Sequence, residues 1–298
     1  MNIVIFGAGA IGSLFGALLS KNNNVLLIGK KPHVTTIRKK GLIIEEKTNL
    51  NVKIMAKSSV DNVSFSPDLL ILTVKSYDTE TAILQARKII TDDTNVLSLQ
   101  NGLDNIGKIS KHFNFERIIA GVTTHGAFFS KPGIIKHTGK GMTILGELNG
   151  KKTKRIDYIV KLFDQAGIET ADSKNILKEI WIKAIINSSI NPLTAIFQCK
   201  NGYLMENPLL EKFVEMICKE STSIANAEGI DLSYSEMLNK TKEVIKNTSD
   251  NYSSMLQSIK KRKKTEIDSI NGKLIEFGKK HNISTMINPI LVYSIKSL

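Results

Sequence analysis

The hydrophobic and polar positions in the first half of the chain alternate between the short repeat of a strand and the longer repeat of a helix. Strands are predicted at 2–6, 25–28, 69–74, 96–99 and 118–122, and helices at 10–20, 33–40 and 79–90. Repeated strand-helix-strand units are typical of a mostly parallel sheet. This half is therefore predicted to be an α/β domain.

The pattern changes between Pro132 and Leu145, where the short runs IIKHT and MTIL flank Gly139-Lys140-Gly141. Two such runs around glycines predict a hairpin appended to the sheet. A helix over 151–165 and a strand near 168–171 are predicted to complete this domain, which we place at residues 1–172.

The second half carries only helical periodicity. Helices are predicted at 177–190, 209–227, 234–246, 253–281 and 288–297. A chain of 298 residues is long enough for two domains. Since no long flexible linker separates the halves, we expect an all-helical C-terminal domain at 173–298, packed closely on the first domain.

The composition excludes several classes of protein. Hydrophobic residues make up 42% and charged residues 23% of the chain, as in an ordinary globular protein. No apolar run approaches the ~20 residues that span a bilayer, and the N-terminus lacks the pattern of a signal peptide. Cys199 and Cys218 are too few for a disulfide framework and have no metal-ligand spacing. A cytoplasmic protein without a metal site or a membrane partner is expected.

The net charge of +13 raises the question of nucleic-acid binding. Only five of the 41 cations are arginine, however, although arginine is the residue favoured for bidentate phosphate and base recognition. The densest run, Lys260 to Lys264, falls within a predicted helix, where a solvated face is the simpler interpretation. No nucleic-acid partner is predicted, and the excess charge is expected to attract anionic substrates.

A glycine-rich segment follows the first predicted strand and opens the first predicted helix. Its residues are Gly7, Ala8, Gly9, Ala10, Ile11 and Gly12. In this context the GxGxxG spacing gives a tight turn, a close approach of backbone to a pyrophosphate and close helix-strand packing. The free N–H groups of the helix N-terminus then face the phosphates. The first domain is thus predicted to be a Rossmann domain that binds a dinucleotide.

The end of the second strand indicates which dinucleotide. An NAD enzyme typically places an acidic residue there to hold the ribose 2′-hydroxyl, but this chain has Lys30 and Lys31, and no carboxylate between Gly12 and Glu45. We predict NADP(H). Ligands of such sheets lie beyond the carboxyl ends of the strands, and Lys75 and Asn101 are predicted to end two of them.

The reactive groups are expected in the helical half. The predicted helix around Trp181 is apolar around most of its circumference, while Lys183, Asn187 and Asn191 fall at i, i+4 and i+8 and form one polar stripe. Glu266 is predicted on the apolar face of the 253–281 helix, where a carboxylate is disfavoured unless it is paired. A structural ion pair remains an equal alternative for both ionisable residues.

The chain resembles the ketopantoate reductase (2-dehydropantoate 2-reductase) family over nearly its whole length. The resemblance rests on GAGAIG, VKSYD, LQNGLDN, GVTTHGAFFSKPGIIKHTGKG, WIKAIINSSINPLTAIF, NYSSMLQ and RKKTEIDSINGKLIEFGKKH, in that order. It implies NADPH-dependent reduction of ketopantoate to pantoate, a step of pantothenate and coenzyme A biosynthesis, with Lys183 as general acid. It also implies substrate contacts from Asn187, Asn191, Asn201, Asn251 and Ser254, and places Glu266, Lys75, Asn101 and Ala127 near the cofactor or the reacting centre.

Members of the family often carry arginine where Lys30 stands, so the strength of the NADP preference is left open by the resemblance. Three alternatives also stay open. They are a reductase of another small 2-keto acid on the same architecture, a noncatalytic NADPH-sensing protein, and a nucleic-acid binder. Its oligomeric state, with a homodimer as one option, is not determined by the sequence.

Overall fold

The computed structural model describes residues 1–298 and divides into two compact units. The first comprises residues 1–100 and 105–176, and the second comprises residues 101–104 and 177–298. The short segment Asn101–Asp104 therefore belongs to the second unit although both of its neighbours in the chain belong to the first.

The first unit contains twelve strands and five α-helices. In chain order they are β1 (Asn2–Phe6), α1 (Ala10–Leu19), β2 (Asn24–Ile28), α2 (Lys31–Lys40), β3 (Leu42–Glu46), β4 (Leu50–Val52), β5 (Met55–Lys57), β6 (Leu69–Leu72), α3 (Thr79–Ala86), β7 (Asn95–Ser98), α4 (Asn105–Ser110), β8 (Ile118–Thr123), β9 (Gly126–Lys131), β10 (Ile134–Gly139), β11 (Thr143–Glu147), α5 (Lys154–Gln165) and β12 (Thr170–Asp172).

Eight of these strands form the main sheet, in the order β12-β11-β8-β7-β6-β1-β2-β5. All neighbouring pairs are parallel except β11 and β8, which are antiparallel. The predicted mostly parallel α/β domain is confirmed. The carboxyl ends of β1, β2 and β5 lie side by side at one edge of the sheet.

Residues of β1 alternate between two hydrophobic cores, one on each face of the sheet. Ile3 and Ile5 are fully buried with Phe15 of α1, whereas Val4 packs on the opposite face with Ile83 of α3. A strand buried on both faces needs apolar side chains at every position. This explains why the run NIVIF shows no polar alternation.

The predicted hairpin between IIKHT and MTIL is wrong. Strand β10 pairs antiparallel with β9 and parallel with β3 in a separate four-stranded sheet of order β4-β3-β10-β9. Strand β11 pairs instead with β8 in the main sheet. The turn of the real hairpin lies at Pro132-Gly133, where Gly133 has a φ of +82°. Glycine adopts this left-handed conformation without the steric cost of a side chain.

The second unit is helical, as predicted. Its helices are α6 (Ile176–Ile196, whose first residue lies in the first unit), α7 (Tyr203–Glu206), α8 (Pro208–Ala227), α9 (Tyr234–Asn247), α10 (Ser254–Lys260), α11 (Lys273–Lys280) and α12 (Ile287–Lys296), with a π-helical turn at Asp268–Gly272. None of the helices of the chain combines the length and the apolar character that crossing a membrane requires.

The single helix predicted over 253–281 is also wrong. Helix α10 ends at Lys260, an irregular segment follows, and the π-helical turn leads into α11. Five consecutive cations from Lys260 to Lys264 would repel one another at helical spacing. Arg262 instead adopts a left-handed φ of 51°, so the basic run ends a helix and forms the turn that follows.

A buried histidine joins three segments of the first unit. The backbone N–H of Gly133 donates to Nδ1 of His33 at 2.9 Å. The proton of the neutral ring is therefore on Nε2, which donates to the hydroxyl of Ser13 at 3.0 Å. Through these two bonds His33 connects α2 to α1 and to the β9-β10 turn.

Buried histidines make the stability of this unit depend on pH. Burial lowers the pKa of His33 from 6.5 to about 4, and burial, aided by the neighbouring His137, lowers the pKa of His125 to about 4. Between pH 6.5 and pH 4 the unfolded chain binds protons at these rings and the folded chain does not. The contribution of these rings to the free energy of unfolding is therefore highest above pH 6.5. It falls as the pH is lowered towards 4, by about 3 kcal/mol for each ring.

We therefore expect the free energy of unfolding, measured with urea, to fall steeply from pH 6.5 to pH 4. The variant His125→Gln removes one of the two titrating rings, so its stability should depend less on pH across this interval. An equal slope in the variant and the parent would contradict the assignment of this pH dependence to His125.

Candidate active site

The glycine-rich loop between β1 and α1 has the geometry of a dinucleotide cradle. Gly7 has a φ of +115°, and a Cβ there would lie 2.5 Å from the backbone nitrogen of Val74. A Cβ at Gly12 would lie 2.2 Å from the carbonyl oxygen of Gly7. Gly9, in contrast, is exposed, and a Cβ there would meet only the carbonyl oxygen of Gly7 at 3.9 Å, an ordinary van der Waals contact. These are the turn, the packing contact and the open approach that the GxGxxG spacing predicts.

The loop is fixed from both sides and leaves the helix end available. The hydroxyl of Thr73 donates to the carbonyl of Gly7 at 2.8 Å, and the backbone nitrogens of Gly7 and Ala8 donate to Ile28. Gly9 is the N-cap of α1 and provides no side-chain cap. The N-terminus of this ten-residue helix can therefore offer its N–H groups to an anion, and Ala10, Ile11 and Gly12 form its first turn.

The other predicted cofactor residues of the first unit are dispersed. Lys30 is the exposed N-cap of α2, whose first turn contains no acidic residue. Lys75 is half-buried and begins the short turn after β6. Ala127 lies in β9, opposite His137 of β10, and belongs to the second sheet. Strand β6 ends at Leu72, so Lys75 follows the strand instead of ending it.

In the second unit, the predicted polar stripe lies on α6. Lys183 and Asn187 are half-buried and Asn191 is buried, while Trp181, Ala184 and Ile185 of the same helix pack in the core. The helix continues through Pro192 to Ile196, further than predicted. A proline cannot donate to the carbonyl four residues earlier; that carbonyl, of Ser188, accepts a hydrogen bond from Nδ2 of Asn271 at 3.2 Å.

Helix α10 is tied to the end of this stripe through a serine that the sequence analysis did not select. Ser253 is the N-cap of α10, and its hydroxyl accepts from the backbone nitrogen of Leu256 and from the hydroxyl of Thr194, the latter at 2.7 Å. Ser254, the predicted substrate contact, is the exposed first residue of the helix. Ser253 therefore positions the helix, and Ser254 presents its hydroxyl to solvent.

Asn201 and Asn251, two predicted substrate contacts, lie in adjoining loops. The backbone nitrogen of Asn201 donates to the carbonyl of Asn251 at 3.0 Å, and Nδ2 of Asn201 donates to the hydroxyl of Thr248 at 2.9 Å. The side chain of Asn201 is buried, yet its Oδ1 accepts no hydrogen bond within the protein. An unsatisfied buried acceptor is uncommon and suits a ligand that donates a hydrogen bond.

The segment Asn101–Asp104 is hydrogen-bonded to the segment that follows Glu266. The backbone nitrogen of Leu103 donates to the carbonyl of Ser269 at 2.9 Å, and the hydroxyl of Ser269 donates to Asp104 at 3.2 Å. Ser269 is in turn bonded through its backbone nitrogen to the carbonyl of Glu266. Glu266 is only 7% exposed. It precedes the π-helical turn, so its predicted burial holds but its predicted position within a long helix does not.

The predicted residues thus form two groups. The glycine loop, Lys30, Lys75 and Ala127 lie in the first unit, and the remaining residues lie in the second. The sequence analysis missed Thr194, Ser253 and Asn271, which hold the segments of the second group together. Ser253 had a detectable signal, because serine before an apolar run is typical of a helix N-cap. Thr194 and Asn271 had none, since their partners are 59 and 83 residues away.

Comparisons with known proteins identify the same family in both parts of the chain. The family model for ketopantoate reductase PanE/ApbA matches residues 3–150, and the model for its C-terminal part matches residues 175–298. The 2-dehydropantoate 2-reductase of Pyrococcus abyssi is 43% identical over 297 residues, which are 99% of this chain and 97% of that protein.

Several solved structures resemble the whole chain. A ternary structure of D-mandelate dehydrogenase with NADH and anilino(oxo)acetate has a TM-score of 0.95 and 31% identity, covering 100% of this chain and 98% of that one. A PanE/ApbA family ketopantoate reductase from Ralstonia eutropha has a TM-score of 0.91 and 28% identity at the same coverage. Since the two family models together match nearly all of the sequence, this chain belongs to the ketopantoate reductase PanE/ApbA family.

Proposed function

We propose that this chain catalyses the NADPH-dependent reduction of 2-dehydropantoate (ketopantoate) to pantoate. The observation that carries the proposal is the stripe of Lys183, Asn187 and Asn191 on a helix that is otherwise largely buried from Trp181 onward. An ammonium group beside two amides on one line can bind a small anionic keto acid and donate a proton to its carbonyl oxygen when hydride is added to the carbon. Membership of the family, whose relative in Pyrococcus abyssi is named for this reaction, supports the choice of substrate.

We assign the cofactor to residues 1–172 and the substrate to residues 173–298. The exposed Gly9 and the uncapped start of α1 fit the pyrophosphate of a nicotinamide dinucleotide. When bound, the nicotinamide supplies the hydride that reduces the C2 carbonyl of the keto acid. The glycine loop contributes binding and orientation, while the chemistry of the proton belongs to the helical unit.

Lys183 is the proton donor of the proposed reaction. Reduction of a carbonyl leaves a negative charge on its oxygen, and the Lys183 ammonium would donate a hydrogen bond to this oxygen and then its proton. A charged donor is most effective where water is excluded, and Lys183 is half-buried on this helix. Glu266 is proposed to orient the Lys183 ammonium or to balance its positive charge.

The amides and Ser254 are proposed to select the substrate. The unsatisfied Oδ1 of Asn201 would accept a hydrogen bond from the substrate hydroxyl, and Nδ2 groups of Asn187 and Asn191 would donate to the carboxylate. A substrate without the hydroxyl would leave a buried acceptor unpaired, which is the strongest basis for discrimination that a binding site offers. Asn251 is proposed as a further substrate contact, and Asn101 as a group near the cofactor or the reacting centre.

A second candidate function is the reduction of another 2-keto acid with NADH. It is favoured by the likeness to D-mandelate dehydrogenase, whose structure contains NADH and anilino(oxo)acetate. The deciding experiment is a panel of 2-keto acids, including ketopantoate and phenylglyoxylate, assayed with NADPH and NADH by absorbance. We expect the highest kcat/KM for ketopantoate with NADPH; no steady oxidation of either cofactor would overturn the assignment as an enzyme.

NADPH is expected to be preferred over NADH because lysines stand where an NAD enzyme has its ribose-binding acid. A charge-assisted contact to the 2′-phosphate contributes about 1.5 to 3 kcal/mol, which corresponds to about 10- to 150-fold in kcat/KM. Lys30→Glu should narrow or invert the preference. Lys21→Glu, which makes the same charge change at an exposed turn after α1, should leave it unchanged. Equal kcat/KM for both cofactors in the parent protein is the contradicting result.

We also propose a homodimer formed by the helical unit. Leu209, Phe213 and Met216 make an exposed apolar row on α8, and Ile290 and Tyr293 are exposed on α12. Apolar surface of this kind typically marks an interface. Light scattering should therefore give about twice the 33.0 kDa chain mass. Tyr293→Glu should shift the protein to monomer, whereas Tyr158→Glu, on α5 of the first unit, should not.

A further inference from the structure

A cavity of about 300 Å³ opens between α2 and the segment that follows β5. Lys31, Thr35 and Arg38 line it from α2, and Lys57, Ser58 and Ser59 line it from the end of β5. Its charged and hydroxyl groups come from two elements that are far apart in sequence, so no local pattern of residues indicates it. Of the two lysines suggested by the sequence, Lys31 lines the cavity and Lys30 does not.

The cavity lies next to the dinucleotide loop along the edge of the main sheet. Ala8 of the loop donates its backbone N–H to Ile28 of β2 at 2.8 Å, and Gly29 donates its own to the carbonyl of Lys57 at 3.1 Å. A Cβ on Gly29 would lie 2.6 Å from the Cβ of Ala8. Neighbouring strands are about 4.8 Å apart, so the ends of β1 and β5 are separated by about 10 Å.

This order along the edge matches the order of groups in a dinucleotide. The pyrophosphate of a Rossmann ligand lies over the glycine loop, and the adenosine ribose lies at the end of β2. A substituent on the ribose 2′-oxygen would continue in the same direction, towards β5. Lys57 and the hydroxyls of Ser58 and Ser59 are the groups it would reach there.

The charge of the cavity suits a phosphate. Lys31, Arg38 and Lys57 supply three cations, and the one carboxylate in the lining, Asp61, is paired with Lys88 at 3.3 Å. The ammonium of Lys57 donates to the carbonyl of Asn62. Because an ammonium has three donors, it keeps two for a ligand.

We propose that this cavity binds the 2′-phosphate of the nicotinamide cofactor and that Lys57 is a specificity-determining residue for NADPH. The inference rests on the proposed function. It differs from the sequence prediction, which named Lys30 and Lys31, in adding Arg38 and Lys57 to Lys31 as phosphate contacts within the cavity. The segment after β5 thereby becomes a part of the cofactor site that the GxGxxG spacing does not indicate.

The test measures binding without catalysis. Isothermal titration calorimetry compares 2′,5′-ADP, which carries the 2′-phosphate, with 5′-AMP, which lacks it. Lys57→Ala should weaken the affinity for 2′,5′-ADP by about 10- to 150-fold, the effect of one charge-assisted contact, and leave that for 5′-AMP unchanged. Lys57→Arg should restore part of the loss. Lys53→Ala removes an exposed lysine just before the same strand, at the opposite end of β5, and should change neither affinity.

Three results would overturn the assignment. One is an unchanged affinity of Lys57→Ala for 2′,5′-ADP, and another is an equal loss in Lys53→Ala, which would indicate general attraction of anions. In either case a parent protein that still reduces ketopantoate with NADPH leaves the proposed function standing. The third is a parent protein that binds neither nucleotide, which would remove the cavity assignment and the proposed function together.

Discussion

Replacing Lys183 with alanine is expected to lower kcat for ketopantoate reduction by ~10² to 10⁴-fold, the usual contribution of a positioned general acid. The reason is the charge that develops on the carbonyl oxygen, which the ammonium stabilises only as the reaction proceeds. Binding of NADPH, followed by fluorescence titration, should be nearly unchanged, because the proposed cofactor groups belong to the first unit.

Lys219→Ala provides the matched control. Lys219 lies exposed on α8 of the same helical unit, so its replacement makes the same change of charge away from the stripe. It should retain the parent kcat. A Lys183→Ala variant that reduces ketopantoate at close to the parent rate would show that this lysine is structural, and the proton donor would have to be sought elsewhere.

Glu266→Gln is expected to reduce kcat/KM by about 10- to 150-fold while the melting temperature stays near that of the parent. Glutamine keeps the shape of the side chain and much of its hydrogen bonding but removes the charge, which is worth about 1.5 to 3 kcal/mol in a hydrogen bond. Glu266 is only 7% exposed beside the π-helical turn. A carboxylate at this depth acts either on the reaction or on a structural cation.

The two roles differ in which measurement changes. If Glu266 pairs with a structural cation, its loss should lower the free energy of unfolding by about 3 to 5 kcal/mol. Both quantities are measured on one preparation, with Glu243→Gln, an exposed carboxylate on α9, as the control. A large fall in melting temperature with kcat/KM intact would reject the proposed role in the active site.

Local features of this protein were predictable because their causes are local. The glycine loop is six consecutive residues, and the strain at Gly7 and the close approach at Gly12 follow from that spacing. The stripe of Lys183, Asn187 and Asn191 follows from the 3.6-residue period of one helix. The apolar strands of the main sheet were likewise recognisable, because strands buried on both faces are apolar throughout.

Strand pairing could not be predicted in the same way. The runs that become β10 and β11 are separated by three residues, Lys140 to Met142, and their sequence fits a hairpin, yet each finds a better partner elsewhere in the chain. β10 pairs with β3, about 90 residues earlier by the register of Ile134 with Ile43. Such contacts depend on the whole fold, and the strand period carries no information about the partner.

The sequence by itself determined the fold class, the dinucleotide loop and the polar stripe, since each depends on spacing within a single element. The tertiary structure decided the rest, because long-range hydrogen bonds join segments that no pattern connects. Leu103 is hydrogen-bonded to Ser269, 166 residues later, and Asn271 is hydrogen-bonded to Ser188. Helix α10 ends within the basic run. Gly29 is hydrogen-bonded to Lys57 at the edge of the sheet.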